Sequence, residues 1–383
     1  MTPRVALVHD FLLDTRGAER VFSVLCQLYP EADLFTAVYD ERGTEGWFAD
    51  RTVNTTFLQR LRPTARTFRA LLPLYPYAME ALDLAGYDVV LSSSSAWAHG
   101  VLVDPEAVHV CYCHNPFRYA WNAREQTLAG RDRVTRAALG VILKQWRTWD
   151  FVAAQRVDRY VANSETTRRR VARYFDRSAQ VLHPPVDTER FGPATAPPVN
   201  GPYMTLSELM PHKRLDVAVA AFTRLGLPLT VVGNGPDARR LQRQAGPTIE
   251  FTGRISDAEV EERLAGARAL VVTATEEFGI AAVEAQAAGR PVIALRAGGA
   301  RETVVEGVTG AFYEEPTTES LIHALQRFDP LAIDPAACVA NARRFGIEPF
   351  RRGIQAVVDD AMDGERTPRD GRRGRPRGLA LAS

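Results

Sequence analysis

Glu276 and Glu284 stand with seven residues between them in the run Glu276-Glu277-Phe278-Gly279-Ile280-Ala281-Ala282-Val283-Glu284. A strand-like stretch, Ala269 to Thr275, precedes this run, and a helix-like stretch, Ile280 to Ala288, stops at Gly289. The two carboxylates therefore bracket a strand-to-helix corner, with Glu276 on the loop and Glu284 about one and a half turns into the helix. The amides of Phe278, Gly279 and Ile280 fall at the helix N-terminus. Unpaired N–H groups and the helix dipole make that end a seat for a diphosphate, and Gly279 permits close backbone approach. A carboxylate accepts hydrogen bonds in fixed geometry. One on each side of such a seat suits a ligand with hydroxyls at both ends, and a nucleotide sugar is one. The plainer reading is solvated acids decorating a helix start, the role assigned here to Glu277.

Such a corner needs strands and helices in alternation, and the chain supplies them from end to end. Strands are expected at Val5–Asp10, Asp88–Ser92, Val108–Cys113, Arg159–Ala162 and Gln180–His183, with at least one more among them. In the second half they are expected at Tyr203–Leu206, Leu229–Val232, Ile249–Gly253, Ala269–Thr273, Pro291–Leu295 and Gly310–Tyr313. Ligands of open parallel sheets collect at the carboxyl ends of strands. A length of 383 residues fits two domains, and the Pro- and Gly-rich segment 191–202 reads as their linker. With 46% apolar and 24% charged residues the composition is that of a globular protein, and a net charge of +1 excludes general steering toward nucleic acid. Cys26, Cys111, Cys113 and Cys338 form no regular framework, so a reducing compartment is expected. No signal peptide fits the first residues, and no apolar stretch spans a bilayer.

The glutamate corner resembles the E-x7-E signature of retaining GT-B glycosyltransferases, specifically family 4. Pro211-His212-Lys213-Arg214-Leu215-Asp216, Val232-Gly233-Asn234-Gly235-Pro236 and Pro291 through Gly298-Gly299-Ala300-Arg301-Glu302-Thr303 follow that family's order. The first half resembles a bacterial polysaccharide subgroup in Val8-His9-Asp10-Phe11, Arg16-Gly17-Ala18-Glu19-Arg20, Cys113-His114-Asn115-Pro116-Phe117-Arg118-Tyr119-Ala120-Trp121, Ala162-Asn163-Ser164 and His183-Pro184-Pro185-Val186-Asp187. The resemblance implies an α/β GT-B fold, two Rossmann-like domains facing across a cleft. It implies an acceptor-side domain over 1–190, a nucleotide-sugar domain over 203–346, and a C-terminal helix, 347–364, crossing back to the first. Residues 365–383, rich in Arg, Gly and Pro, read as a disordered basic tail.

The resemblance also implies roles. Glu276 would hold hydroxyls of the donor sugar and Glu284 the ribose diol. Lys213 would place its ammonium on the donor diphosphate, where charge develops as the leaving group departs. His114, at a strand's carboxyl end, would lie near the donor sugar and polarise a hydroxyl; the bland alternative is a structural loop histidine. Gly17 would bring the first loop close to the phosphate, or simply make a tight turn. Asp10, His9 and Arg118 would line the acceptor side. Gly298 and Gly299 would add amides to the phosphate site, and Gly233 and Arg254 would frame the base.

One position departs from the family. Glu208 stands five residues before Lys213, where a second basic residue is usual. Either Glu208 turns away, into a salt bridge with Arg214, or another cation compensates, with Arg214, Arg20 and Arg254 as candidates. No metal is expected, because Lys213 and helix amides can neutralise a diphosphate and Cys111, Cys113 and His114 lack further ligands.

Arg131, Arg133, Arg136, Lys144 and Arg147, interleaved with Trp146 and Trp149, form an amphipathic pattern. It reads either as a contact with anionic lipid or as a helix packing its tryptophans on the core. The activity implied is a retaining transfer of a hexose, with GDP-mannose the first donor considered, to a glycan or polyprenyl diphosphate-linked acceptor in cell-surface polysaccharide assembly. It would take place in the cytoplasm at the inner face of the plasma membrane, with no nucleic acid involved. The rivals are a nucleotide-sugar epimerase or hydrolase of the same fold, or a nonreactive binding subunit.

Overall fold

The computed structural model describes residues 3–65, 67–192 and 195–364. The tail expected over 365–383 and residues 193 and 194 of the linker lie outside them. Within the described residues the strands form two all-parallel sheets. The first contains β1 (Val5–His9), β2 (Asp33–Thr36), β3 (Val53–Thr55), β4 (Val89–Ser94), β5 (Val108–Cys113), β6 (Arg159–Ala162) and β7 (Gln180–Val181) in the order β3-β2-β1-β4-β5-β6-β7. The second contains β8 (Tyr203–Leu206), β9 (Leu229–Val232), β10 (Ile249–Gly253), β11 (Leu270–Val272), β12 (Val292–Leu295) and β13 (Gly310–Tyr313) in the order β10-β9-β8-β11-β12-β13.

Apolar runs such as Val5-Ala6-Leu7-Val8 suit a sheet covered on both faces. Leu7, Leu34 and Leu91 face one core, while Ala6, Val8 and Val90 face the other. The second sheet repeats this, with Met204, Leu270 and Val292 on one side and Tyr203, Val271 and Ile293 on the other. In each sheet the chain reverses its direction of growth once, between β1 and β4 and between β8 and β11. Loops leaving adjacent strands diverge at such a point and open a crevice at their carboxyl ends.

Two elements tie the halves to their roles. The helix Ile347–Asp363 buries Phe350, Ile354, Val357, Val358 and Ala361 in the core of the first domain, beside Leu7 and Leu91. Its spacing of apolar residues places them on one face. The basic helix, Arg133–Ala154, is capped by Asp132, whose carboxylate accepts from the amides of Val134 and Thr135. It turns Trp146 and Trp149 inward, each edge-on to buried Trp97 with ring centroids 5.5 Å apart. Of the two readings of this helix, the structure gives the packed one for its tryptophans. No helix of the described residues is long and apolar enough to cross a membrane.

Candidate active site

The crevices of the two sheets meet in a cavity of about 500 Å³. The loop after β11 brings Glu276, Glu277, Phe278 and Gly279 to its wall, followed by the helix Ile280–Ala287. Gly279 has φ +94°, which leaves the first amides of that helix without a side chain in front of them. Lys213, at the end of the short 3-10 turn Pro211–Lys213, reaches across, and its Nζ donates to both Glu276 oxygens at 2.7 and 2.6 Å. The two residues expected to serve donor sugar and diphosphate thus meet.

His114, Gly17 and Arg118 line the same cavity from the first domain. Burial pushes the His114 ring down to about 3, helped by His9 and opposed by Asp10, so it is neutral near pH 7. Its Nε2 lies 2.8 Å from Ser93 Oγ, which lies 3.1 Å from His9 Nδ1. One hydroxyl proton can serve only one ring, so Ser93 can donate to His9 or to His114 but not to both. Gly17 packs on the seat itself, since a Cβ there would come within 3.1 Å of Ile280 Cδ1.

Several expected residues stand elsewhere. Asp10 is fully buried and accepts from the amides of Ala96, Trp97 and Ala98 at 3.0, 2.7 and 2.6 Å. It organises the turn after β4 and is not on the cavity wall. His9 is buried, stacked on Phe22. Gly298 and Gly299 lie behind the Glu276 loop. The Gly299 amide donates to the Glu276 carbonyl at 2.9 Å, and a Cβ on Gly298 would sit 2.1 Å from that oxygen. Both pack behind the loop, and the Gly299 amide is engaged there. Gly233 packs against the Ser207 carbonyl, 1.9 Å from where its Cβ would be, and gives its amide to Gly253. Arg214 points to Asp216 and the Pro316 carbonyl. Arg254 reaches Thr15 and Glu45 of the first domain.

Glu284 does not line the cavity either. It is 9% exposed and accepts from Arg190 at 2.8 Å. Burial raises its carboxyl above the ordinary value, against the pull of Arg190 and Arg20.

Residue-by-residue reading missed the pairs that span the cleft. Glu277, taken as a decoration of the helix start, accepts from Arg118 at 3.2 Å and Arg170 at 2.8 Å, both from the first domain. Burial pushes its carboxyl up, but the two arginines more than offset this and hold it below the ordinary range. Arg20 bonds Asp257 at 2.8 Å. Glu208 pairs with Arg16 at 3.1 Å and not with Arg214. No periodicity marks such pairs, because their members lie in different domains. Among the described residues no group of three or more His, Cys, Asp or Glu side chains is placed to hold a metal ion.

Two families match the chain: "Glycosyl transferases group 1" over residues 202–345 and "Glycosyltransferase Family 4" over residues 15–190. The chain is similar to a GDP-mannose-dependent alpha-(1-6)-phosphatidylinositol monomannoside mannosyltransferase of Mycolicibacterium smegmatis, 31% identical over 54% of this chain and 62% of the relative. It is also similar to a D-inositol 3-phosphate glycosyltransferase of Streptomyces avermitilis, 26% identical over 55% of this chain and 53% of the relative. The matched regions thus span less than two thirds of these relatives' length. In fold it is similar to Anabaena Alr3699/HepE in complex with UDP, with a TM-score of 0.68 and 16% identity over 93% of this chain and 100% of that one. Sucrose-phosphate synthase from Thermosynechococcus elongatus gives a TM-score of 0.65 and 18% identity over 93% and 98%.

Proposed function

The chain belongs to glycosyltransferase family 4 and has its GT-B fold, and from that premise we propose that it is a retaining, metal-independent hexosyltransferase using a nucleoside diphosphate sugar. The observation that carries the proposal is the Lys213–Glu276 pair at the N-terminus of the helix Ile280–Ala287, facing a neutral His114 across the cavity. A donor's diphosphate would take over the ammonium and the helix amides, and its sugar hydroxyls would take over the Glu276 carboxylate. Lys213 and the amides then stabilise the charge that builds on the departing diphosphate. That leaving group would assist the acceptor hydroxyl on the same face of the sugar. His114 is suited to hold a sugar hydroxyl as a neutral partner. Closure of the domains would exclude water and limit hydrolysis. Glu284 is assigned the ribose, reached when Arg190 shifts off one of its oxygens.

GDP-mannose is the first donor to test, supported by the name of the Mycolicibacterium relative. The acceptor proposed is a glycan or a polyprenyl diphosphate-linked oligosaccharide at the inner face of the plasma membrane. Peripheral contact with anionic lipid is supported by exposed Arg131, Arg133, Arg136 and Lys144 beside exposed Val134 and Val141. A panel of GDP- and UDP-sugars tests the core of this reading. At least one is expected to raise the melting temperature and to support transfer in excess EDTA. A panel with no stabilising donor counts against transfer; EDTA-abolished activity rescued by magnesium or manganese counts against metal independence.

A further inference from the structure

A diphosphate carries more than one negative charge, and Lys213 supplies one cation. The loop after β8 places Glu208 where a second would be expected. The arginines considered as substitutes are held elsewhere: Arg214 by Asp216, Arg20 by Asp257, and Arg254 by Thr15 and Glu45. Arg16 was not among them, yet it lines the cavity, and its neighbour Gly17 packs on Ile280, the first residue of the helix that forms the seat. Its side chain is about half exposed, and its guanidinium is held by Asp14 at 2.9 Å and Glu208 at 3.1 Å. Glu208 does not line the cavity and is equally exposed.

We propose that Arg16 is the second diphosphate cation of this site, contributed across the cleft by the first domain, and that Glu208 is the counter-ion it exchanges for the diphosphate. This rests on the transfer reading and deepens it. A guanidinium presents a fork of donors that matches phosphate oxygens. A side chain paired near the rim can swing onto an anion at small cost, since exposed ion pairs contribute little. The diphosphate would then be gripped from both domains at once, and binding it would draw them together.

Two variants move in opposite directions. Calorimetric titration with GDP and UDP, and with guanosine and uridine as controls, should show Arg16→Ala weakening the preferred diphosphate about tenfold or more with the nucleoside unchanged. Glu208→Gln should tighten the diphosphate by about threefold, a gain that shrinks with added salt. Wild-type diphosphate affinity in Arg16→Ala, an equal loss for the nucleoside, or no gain in Glu208→Gln would overturn the assignment. A wild-type protein that binds neither diphosphate would instead overturn the transfer reading beneath it.

Discussion

Glu276 and Lys213 satisfy one another at 2.6–2.7 Å, so neither is a spectator on a solvated helix start. Their pairing keeps a carboxylate and an ammonium poised at the cavity without leaving either charge unpaired. Glu276→Gln keeps shape and a hydrogen-bonding oxygen but loses the charge. It is expected to lower turnover about a hundredfold or more while nucleoside diphosphate still binds; full activity with a verified donor would remove Glu276 from the sugar site. A second residue-scale effect concerns acid. Burial pushes His109 and His114 each to about 3, and burial with Lys213 and Arg118 pushes His212 down. A histidine whose folded pKa lies below its unfolded value takes up a proton only on unfolding. Its stabilising contribution is complete above pH 6.5 and is lost as pH falls toward its folded value. His109 and His114 should each lose up to about 1.4 kcal/mol per pH unit. Glu284, raised by burial, runs the other way. Urea unfolding at pH 7 and pH 5 should show the net loss; equal stability at both would contradict the neutral, buried histidines.

At the scale of elements, the corner between β11 and the helix Ile280–Ala287 is held from behind. Gly298 and Gly299 leave room for the Glu276 and Phe278 carbonyls that any Cβ would strike. Phe278 itself is clamped between His183 and Phe345, with centroids 5.3 and 5.4 Å away. The site loop is therefore set by close packing rather than by its own turn chemistry. The helix Ile347–Asp363 works over a longer distance, since it leaves the second domain and completes the core of the first. Phe350 is 1% exposed and packs edge-on to Tyr112 of β5, the strand that leads into His114. Phe350→Ala is expected to cost about 3–5 kcal/mol in denaturant unfolding. A loss within about 0.5 kcal/mol would mean that the helix is not part of that core.

The whole molecule is two sheets whose crevices face each other, joined across the gap by charges of opposite sign. Exposed pairs such as Arg254–Glu45 each contribute little. Glu277 differs, because it is largely sheltered and held by two arginines. Removing it leaves Arg118 and Arg170 facing each other without a counter-charge. Glu277→Ala is expected to open the cleft, seen as a larger radius of gyration by X-ray scattering, and to raise the donor KM several-fold. Identical scattering profiles for variant and wild type would show that this clasp does not set the domain arrangement.

Much of this was legible in the chain because it depends on neighbours in sequence. The alternation of apolar runs and helical stretches places the strands, since a buried parallel strand must be apolar on both faces, and only short β2 and β3 went without named bounds. The Glu276 corner is likewise local: a strand, a glycine with positive φ and a helix start follow in order. What could not be read is which side chains face each other once two domains meet. Asp10 and Gly233 looked like ligand contacts because they end strands, yet close packing with distant backbone occupies them. Glu208 looked like a repulsive anomaly until Arg16, remote in sequence, came within 3.1 Å. Coulombic and steric contacts depend on distance in space, and only the tertiary structure decides that distance.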